Sequence, residues 1–156
     1  MIVVSDTTAI TSLLKINRVS LLRDLFSDIC VPTAVRDELL KYHTEIPAFL
    51  NVHAVADSAA VIALLKDLDH GESEAIILAQ ELGADALLID EKLGRTIAES
   101  RGVRCLGLAG ALLMAKQLNL IPSLADVLET LETDANFYLD KPLKKSLLNR
   151  AGEASD

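Results

Sequence analysis

Four acidic residues occupy positions in this sequence where a metal-binding site could form. Asp6 directly follows the apolar run IVVS, and Asp90 directly follows the apolar run ALLI. Glu38 and Glu72 lie early in two predicted helices. Carboxylate oxygens are the ligands that Mg²⁺ and Mn²⁺ prefer, and such ions promote in-line hydrolysis of phosphodiesters. The four acids therefore predict this chemistry, provided that the fold brings them together.

Each acid also has an ordinary structural explanation. Asp6 could cap the helix that follows it, although capping is compatible with metal binding. Glu38 is harder to explain in this way, because helical spacing places it on the apolar stripe of Val35 and Leu39. A purely solvated glutamate is expected on the opposite face of that helix.

The segment LDHGESEAIILAQELG contains two glutamates near its start. On a helical wheel Glu72 lies on the side of Ala75 and Ile76, whereas Glu74 is turned toward the polar flank. Glu72 is thus the predicted site residue, and a small shift of the helix would favour Glu74 instead. Glu91 follows Asp90 and can be explained as an acid in the first turn of the next helix.

Strand and helix signals alternate along the chain. Apolar, mostly β-branched or Leu-rich runs predict strands at residues 2–5, 28–31, 51–55, 86–89 and 103–106. Apolar periodicity predicts helices at residues 8–15, 18–26, 33–41 (with Thr33 as N-cap), 58–65, 71–82, 92–101, 107–118, 123–132 and 142–150. Apolar strands separated by helices predict an α/β fold of three layers, α/β/α, around a mainly parallel sheet. In such a fold all four acids face the crevice at the carboxyl edge of the sheet.

Length and composition fit one domain over residues 1–150, with residues 151–156 as a disordered tail. No apolar run approaches the roughly 18 residues that span a bilayer, and no basic region precedes a signal-like core. A cytoplasmic protein without membrane association is the expectation. Cys30 and Cys105 each lie in an apolar segment and are predicted to be buried free thiols.

The formal net charge of −8 would ordinarily argue against a polyanionic partner. Bound divalent cations change that conclusion, because each cancels two acids and presents positive charge to a phosphate. Four like charges at one edge are also costly unless a cation lies among them. The three histidines show no spacing typical of a zinc site, so Mg²⁺ or Mn²⁺ is the predicted ion.

Four segments, taken in order, resemble the PIN-domain family. They are VVSDTTAITSLLKI, LLRDLFSDICVPTAVRDEL, LDHGESEAIILAQELGADALLIDEKLGRTIAE and LGLAGALLMAKQLNLIPSL, and they span about residues 2 to 130. The likeness is greatest to the branch related to VapC-type toxin nucleases. It implies a Rossmann-like fold and a metal-dependent ribonuclease whose acidic quartet is Asp6, Glu38, Glu72 and Asp90. It further implies supporting roles for Thr7 and for Glu74 or Glu91.

RNA binding would have to come from local positive charge. Arg95, and after it Lys92, are the predicted phosphate contacts. Lys141, Lys144, Lys145 and Arg150 form either a solvated helix face or a docking surface. Few aromatic residues and no tryptophan argue against extended base stacking. The resemblance also implies a homodimer and an antitoxin protein as partner.

Three other functions can be weighed against the sequence. A haloacid-dehalogenase-type phosphatase needs a second Asp two residues after the first, where this chain has Thr8. A response-receiver domain needs a Lys at the end of the last strand, where this chain has RCLGLAG. A catalytically weak or inactive PIN-like module that binds nucleic acid or protein stays open as the alternative.

Overall fold

A five-stranded, all-parallel sheet forms the centre of the computed structural model, which describes residues 1–153. The strands run in the order β3-β2-β1-β4-β5. Their bounds are β1 Ile2–Ser5, β2 Asp28–Pro32, β3 Leu50–His53, β4 Ala86–Leu88 and β5 Cys105–Leu106. The chain builds outward from β1 to β3 and then returns to place β4 on the other side of β1. The carboxyl ends of β1 and β4 therefore flank the point where the winding reverses, which is where open α/β sheets form a crevice.

Nine helices connect and cover these strands within residues 1–153. Their bounds are α1 Thr7–Lys15, α2 Ser20–Leu25, α3 Thr33–Leu40, α4 Ser58–Leu64, α5 His70–Leu82, α6 Lys92–Ser100, α7 Leu108–Gln117, α8 Leu124–Ala135 and α9 Lys141–Arg150. Neighbouring strand residues point to opposite faces, so Val3 packs into one apolar core and Val4 into the other. Helices α1, α7 and α8 cover the first face, and α4, α5 and α6 cover the second. The predicted three-layer α/β fold is confirmed.

Four predicted elements differ clearly at their ends: β5 begins at Cys105 instead of residue 103, α8 ends at Ala135 instead of residue 132, and β3 and α2 are also displaced. β3 was expected over residues 51–55 but covers Leu50–His53, because its last partner is Pro32, where β2 ends. α2 was expected from residue 18 but begins at Ser20. Asn17 turns left-handed (φ 57°) and the Arg18 N–H donates to the Leu13 carbonyl at 2.9 Å, so Arg18 closes α1 instead.

The N-terminus of α3 corrects a second expectation. Its N-cap is Pro32, not Thr33, and the cap residue makes no side-chain hydrogen bond. The carboxylate of Glu74, on α5, accepts from the Ala34 N–H at 3.0 Å and from the Thr33 hydroxyl at 3.2 Å. The cap is supplied by another helix, which a local sequence signal does not reveal.

Part of the predicted disordered tail makes defined contacts. Glu153 accepts hydrogen bonds from the backbone N–H groups of Leu124 (2.6 Å) and Ala125 (3.0 Å), and it lies 3.5 Å from the Lys116 ammonium. Glu153 thus caps α8, contrary to the expectation for a tail that starts at residue 151. Residues 154–156 of that predicted tail lie outside the described residues.

Across residues 1–153, the helices are too short or too polar to cross a lipid bilayer.

Candidate active site

A small acidic cavity of about 80 Å³ opens at the carboxyl edge of the sheet, where β1 and β4 end. Its walls come from α1, α3, α5 and the loop after β4. The lining residues are Asp6, Thr7, Thr8, Glu38, Asp69, Glu72 and Glu91. Three of the four predicted acids thus line one cavity, and the fourth, Asp90, influences Asp6 electrostatically from beside it.

Asp6 is the most buried acid of the site, with 4% of its surface exposed. It is the N-cap of α1, and its Oδ1 accepts a hydrogen bond from the Ala9 N–H at 3.3 Å. The pKa of Asp6 is raised from 3.8 to about 7, chiefly by burial; the Ala9 N–H acts to lower it, and the nearby acids Asp90, Glu72 and Asp69 contribute to the increase. Asp6 thus caps α1 and at the same time lines the cavity.

Glu38 reaches the cavity from the second half of α3. Its Oε2 accepts a hydrogen bond of 2.7 Å from the hydroxyl of Thr7, which fixes the carboxylate next to α1. Its Oε1 lies against the backbone of Gly71, where a Cβ atom would be only 2.5 Å away. The glycine of the GESEA segment thus makes room for this carboxylate.

Glu72 enters from the first turn of α5. Its Oε2 is buried and has no hydrogen-bond partner among the described residues, and it would lie 3.0 Å from a Cβ atom at Gly94. The pKa of Glu72 is raised from 4.5 to about 7, first by burial and then by the hydrogen bond and charge repulsion of the Asp69 side chain. An unpartnered carboxylate oxygen at this depth is what a site for a cation would leave when no cation is bound.

Asp90 bridges the end of β4 and the start of α7. Both of its carboxylate oxygens lie within hydrogen-bond distance of the Leu108 N–H, at 3.2 and 3.3 Å. Burial raises its pKa, while the Leu108 N–H and the positive charge of Arg95 act in the opposite direction. The missing side chain of Gly107 leaves room for Oδ1, which would be 3.0 Å from a Cβ atom there.

Asp69 belongs to the site and was missed by the sequence analysis. It is the N-cap of α5, and its Oδ1 accepts from the Glu72 N–H at 2.8 Å. The spacing Asp-x-x-Glu, typical of a helix N-cap and its third residue, was the available signal. Because it caps the helix that carries Glu72, Asp69 also brings a further carboxylate to the cavity, beside those of Asp6, Glu38 and Glu72.

The remaining predicted residues have distinct positions. Glu74 does not line the cavity; it joins α5 to the start of α3 and lies 3.1 Å from His70 Nε2. Glu91 lines the cavity from an exposed position. Lys92 and Arg95 are exposed on α6, and Arg95 is near enough to Asp90 to affect its pKa.

The residues suit a hard divalent cation in kind, since every donor is an oxygen. The unpartnered Glu72 Oε2 and the mutual repulsion of the carboxylates support this fit. In their present rotamers, however, no three His, Cys, Asp or Glu side chains within residues 1–153 have a geometry that could hold a metal ion. Three of these side chains would have to move toward one another to bind the same ion directly.

Comparison with known proteins identifies the fold family. The model of the DUF3368 family, a PIN domain, matches residues 2–153. A solved structure of a PilT N-terminus domain protein from the hyperthermophilic archaeon Sulfolobus solfataricus P2 is similar, with a TM-score of 0.56 and 22% identity over 83% of this chain and 95% of that one. A search of curated proteins gives no match. The family match spans both cores and all five acids of the cavity edge, and the chain therefore belongs to the PIN-domain family.

Proposed function

We propose that this protein is a metal-dependent ribonuclease that hydrolyses RNA phosphodiester bonds at the acidic cavity. The observation that carries the proposal is the buried Oε2 of Glu72, which has no hydrogen-bond partner among the described residues and lies beside Asp6, a residue that is 4% exposed. Acids packed in this way raise each other's pKa values and destabilise the fold unless positive charge enters. PIN domains are generally nucleases that use divalent metals, and Mg²⁺ or Mn²⁺ is the ion that this oxygen donor set favours.

In this proposal each side chain has a role that follows from its position in the site. Asp6, Glu72 and Asp90 would hold the cation from the ends of β1 and β4 and the start of α5. Glu38, held by the Thr7 hydroxyl, would complete the site from α3. When bound, the ion supplies charge stabilisation to the phosphate and lowers the pKa of the attacking water. Arg95 on α6 would contact the substrate phosphate beside Asp90.

Cleavage of a mixed RNA pool by the purified protein tests this proposal. The reactions contain Mg²⁺, Mn²⁺ or EDTA, and an Asp6→Asn variant is run beside the parent. Asn at position 6 removes the charge but keeps an oxygen that can accept from the Ala9 N–H. We expect cleavage that requires metal and falls by at least about a hundredfold in the variant. Equal cleavage by both proteins would trace the activity to a contaminant and reject the proposal.

A toxin role within a toxin–antitoxin pair is the finer form of the proposal. It predicts that expression of the parent in a bacterial host arrests growth and that Asp6→Asn does not. The acidic cavity would suit an antitoxin segment that places an arginine among the carboxylates, since the guanidinium would replace the charge of the ion. A homodimer is part of the same proposal, and sedimentation equilibrium measures it directly.

One observation favours a second candidate, a PIN-like module that binds without cleaving. Within residues 1–153 the acidic side chains do not stand in a metal-holding geometry. Folded protein that cleaves no RNA with either metal, yet binds RNA or a protein tightly, would support this candidate over the nuclease.

A further inference from the structure

A positively charged surface lies at the start of α9, outside the acidic cavity. Residues 138–150 carry four cationic side chains and one acid, although the whole chain has a net charge of −8. That acid, Asp140, is engaged as the N-cap of α9, where it accepts from the Leu143 N–H at 2.8 Å. Lys144 is 3.5 Å from Glu132 of α8. Lys141 and Lys145 are exposed and form no ion pair with a described residue.

These two lysines are unfavourable for the helix that carries them. They are four residues apart, so they lie side by side on one face of α9, where like charges repel. Lys141 also lies in the first turn, at the positive end of the helix dipole, where an acidic residue would be more stabilising. Tyr138 precedes them with 67% of its surface exposed. We use the name α9 basic face for Lys141 and Lys145 together with Tyr138, which lies just before α9.

The contacts of α8 and α9 place this face at the end of the molecule that holds the acidic cavity. α1 starts at the cavity and ends at Lys15. Ile16 and Arg18, just beyond that end, share a pocket with Ser123, the N-cap of α8, and Asp126 in its first turn. Since α1 and α8 pack against each other, α8 runs back toward the cavity end.

α9 then starts where α8 ends. Glu153, just after α9, binds the first turn of α8, whereas Lys144, in the first half of α9, contacts Glu132 near the end of α8. The two helices therefore run in opposite directions. The start of α9 therefore lies toward the same end of the molecule as the carboxyl edge of the sheet, where the cavity opens.

We propose that the α9 basic face binds the single-stranded RNA that flanks the cleaved bond, with phosphates on Lys141 and Lys145 and one base stacked on Tyr138. This deepens, and rests on, the proposed ribonuclease function. The charge of the lysines selects a polyanion, and an exposed tyrosine offers a surface for any base. Because a single aromatic residue is present, one base stacks and the binding shows little sequence preference.

Binding of a fluorescein-labelled, single-stranded oligouridylate tests the proposal by fluorescence anisotropy at several salt concentrations. All proteins carry Asp6→Asn, so that binding is measured without cleavage. The test variant is Lys141→Glu/Lys145→Glu. The matched control is Arg18→Glu/Arg104→Glu, which makes the same change of charge at exposed positions at the opposite end of the molecule.

We expect the test variant to bind at least about tenfold more weakly at low salt. A plot of the logarithm of the association constant against the logarithm of the salt concentration has a negative slope. Loss of two phosphate contacts should make this slope less steep by about 1.4. The control should bind as tightly as the parent. A glutamate at position 141 interacts favourably with the helix dipole, so thermal melting of the test variant should show an intact fold. The variant Lys141→Gln/Lys145→Gln repeats the test with neutral side chains.

The aromatic contact has its own matched control in Tyr42, which is also highly exposed. Tyr138→Ala should weaken binding about tenfold, Tyr138→Phe should retain most of it, and Tyr42→Ala should leave it unchanged. The proposal is overturned if the test and control variants lose RNA affinity equally, or if the test variants lose none. It is also overturned if the parent protein does not bind the oligonucleotide. The ribonuclease proposal fails separately, if the parent with Asp6 intact cleaves no RNA.

Discussion

At the scale of single residues, the site depends as much on missing side chains as on the acids. Gly71, Gly94 and Gly107 occupy the first turns or the cap of α5, α6 and α7. Each lies against one carboxylate, at 2.5 to 3.0 Å from where its Cβ atom would be. Atoms that approach so closely must move apart when a methyl group is added. A side chain at any of these three positions would therefore displace the facing carboxylate from its present position.

Gly94→Ala tests this dependence. The added Cβ would meet Ile89 Cδ1 at 2.7 Å and Glu72 Oε2 at 3.0 Å, so the Glu72 carboxylate must move. We expect Mn²⁺ affinity, measured by isothermal titration calorimetry, to fall at least about tenfold. The free energy of unfolding should change by no more than about 1 kcal/mol, because alanine favours a helix.

Gly110→Ala is the matched control for Gly94→Ala. Its Cβ would lie 3.0 Å from the flexible end of Leu106 and near no acid, so Mn²⁺ affinity should match that of the parent. The same affinity in all three proteins would show that Gly94 does not position Glu72.

At the scale of helices and strands, Glu74 couples the two helices that carry Glu38 and Glu72. It lies two residues after Glu72 on α5 and accepts hydrogen bonds at the start of α3, one turn before Glu38. This contact between helices satisfies the Ala34 N–H, one of the N–H groups at the start of α3 that have no partner within the helix. A change at Glu74 should therefore alter the distance between the two site acids although Glu74 itself does not line the cavity.

Glu74→Ala should lower the free energy of unfolding by about 1 to 2 kcal/mol, the usual cost of losing an N-cap. It should also weaken Mn²⁺ binding, because α3 and Glu38 lose their attachment to α5. Glu74→Gln keeps an acceptor oxygen and should retain most of both properties. Urea denaturation and metal titration of the two variants check this; equal effects of Ala and Gln would mean that the hydrogen bonds contribute nothing.

The sequence predicted the elements better than their contacts. Apolar periodicity is local, so it located every strand and helix to within a few residues, and topology then placed Asp6 and Asp90 at one edge. The partner of a helix cap 40 residues away, as for Glu74 and Ala34, has no local signal. The same holds for the close approach of Gly94 to Glu72. The spacing of Asp69 and Glu72 did provide a local signal for Asp69. That spacing predicts an N-cap, however, and gives no indication that the side chain also lines the cavity.

At the scale of the whole molecule, the buried carboxylates make the stability of the metal-free protein depend on pH. Asp6 and Glu72 have folded-state pKa values of about 7, well above the ordinary values of 3.8 and 4.5. A raised carboxyl pKa means that the folded state prefers the neutral form. Its contribution is fully present below the unfolded pKa and is lost as the pH rises through the folded pKa.

We therefore expect the free energy of unfolding in EDTA to fall between about pH 4 and pH 8. Urea denaturation at several pH values measures this change, and Asp6→Asn, which cannot ionise, should flatten the curve. Mg²⁺ or Mn²⁺ should restore stability at pH 8, since binding to the folded state alone stabilises it. A flat profile for the parent in EDTA would contradict the raised pKa values.

The three glycines also change how related sequences should be compared. A homologue that keeps all four acids but carries a larger residue opposite Glu38, Glu72 or Asp90 would have a crowded, misdirected site, and a survey that counts only acids would classify it as an active nuclease. Such a chain could lose activity by a single substitution without losing any ligand. Pseudoenzymes of this family should therefore be sought at the positions of Gly71, Gly94 and Gly107 as well as at the acids themselves.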